Sequence, residues 1–95
     1  MYFEWDPNKE KINLRKHEVS FAEAMTIFGD PFEITIADPD HSEMEFRFLS
    51  IGLSSSGRLL VAAYTERGER IRIINAREAK PKEYSGPRKL DRLLR

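Results

Sequence analysis

Three arginines, Arg70, Arg72 and Arg77, fall within the ten residues 69–78. A guanidinium keeps its charge at physiological pH and offers a planar fork of donors matched to phosphate or carboxylate. Ile71 and Ile73 alternate with Arg70 and Arg72, the period-two pattern of a strand with one buried face. The isoleucines are expected to point into a core. The two arginines are expected to stand together on the other face, roughly 7 Å apart along the strand. The chain should then leave the sheet through Asn75, Ala76 and Arg77, bringing a third guanidinium to the strand's end. Two readings follow: an anion-binding face, or arginines paired with acidic side chains on a neighbouring strand.

A second group lies near the amino terminus. Asp6-Pro7 opens a helix, with aspartate at the N-cap and proline at the first helical position. On it Lys9, Asn13 and His17 fall at i, i+4 and i+8, with Lys16 beside them, so four polar groups share one broad stripe. Either this stripe faces the same cleft as the arginines, or it is a solvated face on which Asn13 hydrogen-bonds locally. Ile12 and Leu14 supply little apolar surface, so polar contacts must help to seat this helix.

The chemistry open to such a chain is limited. Cysteine is absent, which excludes thiolate nucleophiles, disulfides and cysteine-ligated metals. The only histidines are His17 and His41. Asp38, Asp40 and His41 can at most hold a cation weakly, and a solvated loop is the simpler reading. Neither a glycine-rich phosphate loop nor a nucleophile elbow is present. What remains is a metal-free site of Arg, Lys, His, Glu and Tyr, with no cofactor implied. Such a set can cleave RNA, because the ribose 2′-hydroxyl is itself the nucleophile. The protein need only take its proton, stabilise the crowded phosphate and protonate the leaving 5′-oxygen.

The elements that must position these groups form one small domain of 95 residues. Tyr2 to Trp5 reads as a short strand ahead of the first helix. Ser20-Phe21-Ala22-Glu23 is a capping box, and Phe21, Ala24, Met25 and Phe28 follow as one apolar helical face that Gly29-Asp30-Pro31 ends. Residues 32–37 and 43–48 alternate as strands. The apolar phase then switches to Leu49, Ile51 and Leu53, which predicts a bulge or a change in what covers the sheet. Ser54 to Gly57 is expected to be a flexible turn. Residues 58–65 are apolar on both faces over their middle, as in a central strand, and Arg67-Gly68 turns into the arginine strand. The spacings predict an α+β domain, its helices packed on one face of a mainly antiparallel sheet built from sequential hairpins. After the Ser85-Gly86-Pro87 break, Leu90, Leu93 and Leu94 lie among basic residues. This segment, 85–95, is either a short amphipathic helix folded back on the domain or a detached tail that docks on a partner.

The net charge of zero hides an asymmetry: residues 1–45 carry four Lys/Arg against eleven Asp/Glu, and residues 46–95 carry twelve against five. Local potential rather than total charge steers a polyanion, and an internally neutralised sheet would give the same count. No apolar run approaches the roughly 20 residues that cross a bilayer, and the start of the chain lacks the pattern of a signal peptide. A cytoplasmic location without membrane contact is the expectation.

Phe3-Glu4-Trp5-Asp6 with Lys9 and Asn13, then Lys16-His17-Glu18-Val19-Ser20-Phe21 with Ala24, resembles the start of the BrnT family. Arg72-Ile73-Ile74-Asn75-Ala76-Arg77, with Ala79, Glu83 and Tyr84, resembles that family's end, so the likeness spans residues 3 to 84. It implies a RelE-like ribonuclease toxin of a type II toxin–antitoxin pair. Its implied partner is BrnA, an antitoxin with a dimeric ribbon-helix-helix domain, and operator DNA would be bound only through that antitoxin. The family pattern matches at Lys9, His17, Arg47, Arg72, Arg77, Glu83 and Tyr84. It implies Arg72 and Arg77 as phosphate and transition-state binders, supported by Lys9 and Arg47; Arg70, from the strand alternation, is a further phosphate-binding candidate. His17 is the acid or base candidate, since imidazole titrates near neutrality. Glu45 is a rival base, Glu83 or Tyr84 a proton donor or an arginine-orienting group, and Asn13 a supporting residue. Asn75 stands where the family usually has serine and Glu18 where it has glycine, and Pro81 with the Ser85-Gly86-Pro87 break interrupts the expected terminal helix. The alternative to an RNA-cleaving enzyme is a non-catalytic binding module that keeps the fold and the antitoxin-binding surface.

Overall fold

A computed structural model describes residues 1–38 and 45–83. Strand β1 (Tyr2–Glu4) leads into helix α1 (Pro7–His17) and the short helix α2 (Phe21–Met25), which continues as a 3₁₀ turn through Gly29. Strands β2 (Ile34–Ala37), β3 (Arg47–Leu53), β4 (Leu59–Arg67) and β5 (Arg70–Glu78) follow, with a 3₁₀ turn at Pro81–Glu83. The sheet order is β1-β5-β4-β3-β2. The hairpins from β2 to β5 are antiparallel as expected, but β1 pairs parallel to β5, an arrangement that local spacing does not reveal. Tyr84, His41 and the segment 85–95 lie outside the described residues.

The core lies between the helices and one face of the sheet. Val19, Phe21, Ala24 and Ile27 are buried against Leu60, Ala62, Tyr64, Ile71, Ile73 and Ala76. On this inner face β3 presents Ser50 and Gly52, two small residues that disguise its true phase. Ser50 donates to the Tyr64 hydroxyl at 3.0 Å and meets Thr35 at 3.0 Å. A Cβ on Gly52 would come within 3.0 Å of Ile27, so glycine lets the 3₁₀ turn sit down on the strand. Leu49, Ile51 and Leu53 face the other way, onto Leu59, Val61 and Ala79. Of the two readings of the phase switch, a bulge or a change in what covers the sheet, the second holds: β3 runs regularly and is apolar on its outer face as well. The strand begins at Arg47, and the described residues 45 and 46 lie outside it.

The bulge lies in β5. Ala63 pairs with Asn75 and Tyr64 with Ile73, leaving Ile74 as the extra residue. Before it Ile71 and Ile73 point inward, and after it Ala76 does. The one-residue slip moves Arg77 to the outer face; unbroken alternation would place it inside with Ile73. The chain does not leave the sheet at residue 75, because β5 runs on to Glu78.

Ser20 caps α2 as expected, accepting from Glu23 N at 3.0 Å. The other half of the box is rearranged. Glu10 of α1 reaches across to accept from Phe21 N and Ala22 N, and Glu23 turns instead to Arg58, Ser54 and Ser56. The 54–57 turn is thus tied to α2, and Ser55 N also donates to Thr26 Oγ1. Hydrogen bonds from Arg58, then from Ser56 and Ser54, outweigh desolvation and pull the Glu23 carboxyl from 4.5 to about 2. The unfolded state binds this proton more readily, so the contribution is fully present above pH 4.5 and is lost as pH falls towards 2. Urea denaturation at pH 7 and pH 3 should show the wild type losing stability in acid. Glu23→Gln should remove a part of that loss on the order of 1–3 kcal/mol.

Candidate active site

The outer face carries its charges in cross-strand rows. Glu4, Arg72, Thr65 and Arg47 are in register across β1, β5, β4 and β3. The adjoining row holds Tyr2, Arg70 and Arg67. Arg67 and Arg70 flank a two-residue turn whose Gly68 takes the left-handed conformation (φ 63°), which sets their side chains on the same face. Between Arg67, Arg70, Glu4, Tyr2 and Glu69 the surface opens into a depression of about 580 Å³.

Of the acidic groups here, Glu4 is shared by two arginines and Glu45 is bound by one. Glu4 accepts from Arg72 at 2.7 Å and lies 3.8 Å from Arg70. Glu45 takes both ends of the Arg67 fork, at 3.0 and 3.1 Å. The two rows thus bring four guanidiniums, those of Arg47, Arg67, Arg70 and Arg72, onto one face of the sheet. The Glu45 carboxyl is held below its ordinary range, first by the hydrogen bonds from Arg67 and then by the charges of Arg67, Arg72 and Arg47. A carboxylate so stabilised is a weak proton acceptor, which argues against Glu45 as general base.

Arg77 does not join this group. It sits opposite Val61, four residues along β4 from Thr65, or about 13 Å along the sheet. Its guanidinium is bound in parallel by both oxygens of Glu83, at 2.9 and 3.0 Å. Lys80 N donates to the same carboxylate at 2.6 Å. Arg77 first and the Lys80 amide as well pull Glu83 down to about 2 against its desolvation, so at neutral pH it accepts and orients and has no proton to give. The pair fastens the exit of β5 to the 3₁₀ turn.

The α1 stripe is divided too. Asn13 is buried and reaches 63 residues along the chain, accepting from Ala76 N at 3.1 Å and donating to Ala76 O at 2.8 Å. Its amide also donates to Val19 O at 2.9 Å. Beside the short-range bond to Val19 O the carboxamide thus makes a long-range pair, because β1 ends at Glu4 and leaves the edge of β5 for it to join. Lys9, Lys16 and His17 line a separate small cleft with Ile12, Asn13, Ile74 and Asn75, about 150 Å³ in volume. Asn75 pairs with Ala63, one row from Arg72 and roughly 7 Å along the strand. The histidine cleft and the arginine rows are thus neighbours across the bulge, not one pocket.

Glu4, Thr65 and Arg67 were not singled out by sequence. The hairpin Arg67-Gly68-Glu69-Arg70 carried a usable signal for Arg67, since residues flanking a two-residue turn share a face. Glu4 carried none, because its place depends on the parallel pairing. Among the described residues no group of three or more His, Asp or Glu is placed to hold a metal ion, and no helix is long and apolar enough to cross a membrane.

The model of a family described as "Ribonuclease toxin, BrnT, of type II toxin-antitoxin system" matches residues 5–83. The fold is similar to that of the crystal structure of the Brucella abortus ribonuclease toxin BrnT, with a TM-score of 0.62 and 22% identity, covering 84% of this chain and 97% of that one. No curated protein matches the sequence.

Proposed function

The chain belongs to the BrnT family of ribonuclease toxins of type II toxin–antitoxin systems, and on that premise we propose that it is a metal-independent endoribonuclease whose outer sheet face holds the RNA backbone. The observation that carries this reading is the pair of cross-strand rows that gathers Arg47, Arg67, Arg70 and Arg72 on one face of the sheet, with Glu4 shared between Arg70 and Arg72. Arg72, flanked by Arg47 and Arg70, binds the scissile phosphate and stabilises the charge that builds on it. Lys9 and Lys16 hold the backbone on the far side of Asn75. His17 takes the proton of the 2′-hydroxyl, whose oxygen attacks phosphorus to give a 2′,3′-cyclic phosphate. The 5′-oxygen departs and is protonated by a neighbouring acid or by water. A ribbon-helix-helix antitoxin of the BrnA type covers this face in the cytoplasm and supplies the only contact with operator DNA.

The second reading, a binding module without catalysis, draws on the firm ionisation of Glu83 and Glu45 and on the separation of His17 from the arginines. One assay divides the two. Purified protein incubated with single-stranded RNA in excess EDTA should produce fragments ending in 2′,3′-cyclic phosphate. Intact RNA at protein concentrations that saturate binding would establish the binding module instead.

A further inference from the structure

Thr65 stands at the centre of the charged row, directly between Arg47 and Arg72 in register. It is 2% exposed, and its Oγ1 has no hydrogen-bond partner among the described residues. Leaving a buried hydroxyl unpaired is unfavourable, and valine would fill the same space without that cost. The neighbouring strand positions show how the fold treats such groups elsewhere. On the inner face the hydroxyls of Thr35, Ser50 and Tyr64 are joined into one chain, and on the outer face only Thr65 is orphaned among the described residues. Its two lateral neighbours are arginines, and the fork of one of them is engaged by Glu4 at 2.7 Å. The carboxylate occupies the place on Arg72 that another oxyanion would compete for.

We propose that Thr65 is a phosphate-binding residue: an RNA phosphate displaces Glu4 from Arg72, Arg72 swings with it, and the uncovered Thr65 hydroxyl donates to a phosphate oxygen. This rests on the RNA-binding reading above and adds to it a neutral donor beneath the guanidiniums. A cation and a hydroxyl make different predictions. A lost cation lowers both affinity and its dependence on salt, because counterions are released in proportion to the phosphates neutralised. A lost hydroxyl lowers affinity and leaves the salt dependence as it was.

The test measures binding of a short fluorescent oligoribonucleotide carrying 2′-O-methyl at every ribose, which blocks cleavage, across a range of salt concentrations. Thr65→Val should weaken binding roughly 10-fold, with an unchanged slope of log affinity against log salt. Thr65→Ser should stay within about 3-fold of wild type, since it keeps the donor that the contact requires. In urea, Thr65→Val should be as stable as wild type or more so, which separates a lost contact from a damaged fold. Arg72→Ala, as the reference, should lower the slope by about 0.7. Wild-type affinity in Thr65→Val overturns the proposal and leaves the RNA reading standing. A slope reduced in Thr65→Val also overturns it, since the effect would then run through displaced arginines. Failure of the wild-type protein to bind the oligonucleotide overturns both.

Discussion

Asn13→Ala is expected to cost the fold about 3–5 kcal/mol, the largest stability effect expected of a polar substitution among the described residues. The side chain is 5% exposed and makes three hydrogen bonds, all to backbone groups. Its carboxamide has the same donor and acceptor geometry as a peptide unit. It pairs with both polar groups of Ala76 as a further strand would, at the point where β1 has ended. The second amide hydrogen holds Val19 O, at the junction between the two helices. Truncation leaves three buried backbone groups unpaired, at about 1–3 kcal/mol each before relaxation. Asn13→Asp should be at least as harmful, because it places carboxylate oxygens against the carbonyls of Val19 and Ala76. Urea unfolding monitored by tryptophan fluorescence gives the loss directly. Lys9→Ala, exposed on the same helix, should change stability by less than about 0.5 kcal/mol. A loss below about 1 kcal/mol in Asn13→Ala would mean that water replaces the side chain, and that α1 is held by its sparse apolar contacts after all.

That residue also marks the boundary of what the sequence makes legible. Periodicity finds what lies within a few residues. The alternation of Ile71 and Ile73 with the arginines, the doubly apolar β4 and the cap at Ser20 are all local, and the fold keeps them. Asn13 was visible as a polar residue on a helix poor in apolar surface, so the need for polar anchoring could be inferred, but its partner is 63 residues away. The same distance hides the parallel pairing of β1, and with it the role of Glu4. The Ile74 bulge is invisible for another reason: an isoleucine there is equally at home in a regular strand, and only the register of β4 shows the slip. Ser50 and Gly52 mislead by size, since small residues on the inner face of β3 read as polar positions until Tyr64 and Ile27 are seen above them. The candidate site was proposed from the sequence as a set of residue types. Its division into an arginine face, a histidine cleft and an Arg77–Glu83 clamp was not, because that depends on which carboxylate each guanidinium meets.

Arg72→Ala is expected to lower RNA cleavage by about 10²- to 10³-fold, the effect of removing one preorganised charge from a phosphate whose charge grows in the transition state. Its stability should change by less than about 1 kcal/mol, because the Arg72–Glu4 pair is partly solvated, at 32% and 29% side-chain exposure. Glu4 keeps Arg70 as a neighbour when Arg72 is gone. Arg72→Lys should restore little, since an ammonium cannot present the two parallel donors that a phosphate edge accepts. Arg77→Ala provides the contrast. The bidentate bond to Glu83 would be lost and the exit of β5 released, so stability should fall while cleavage per folded molecule changes less than in Arg72→Ala. Both positions are arginines of one strand, and a family pattern alone assigns them the same work. The rows assign them different work, because Arg72 shares Glu4 with Arg70 whereas Arg77 has Glu83 to itself. Single-turnover cleavage and urea unfolding, measured on both variants, test that division. Equal loss of cleavage in the two, with both folded, would show that phosphate binding extends along β5 from Arg72 to Arg77 and that the Glu83 clamp opens on RNA.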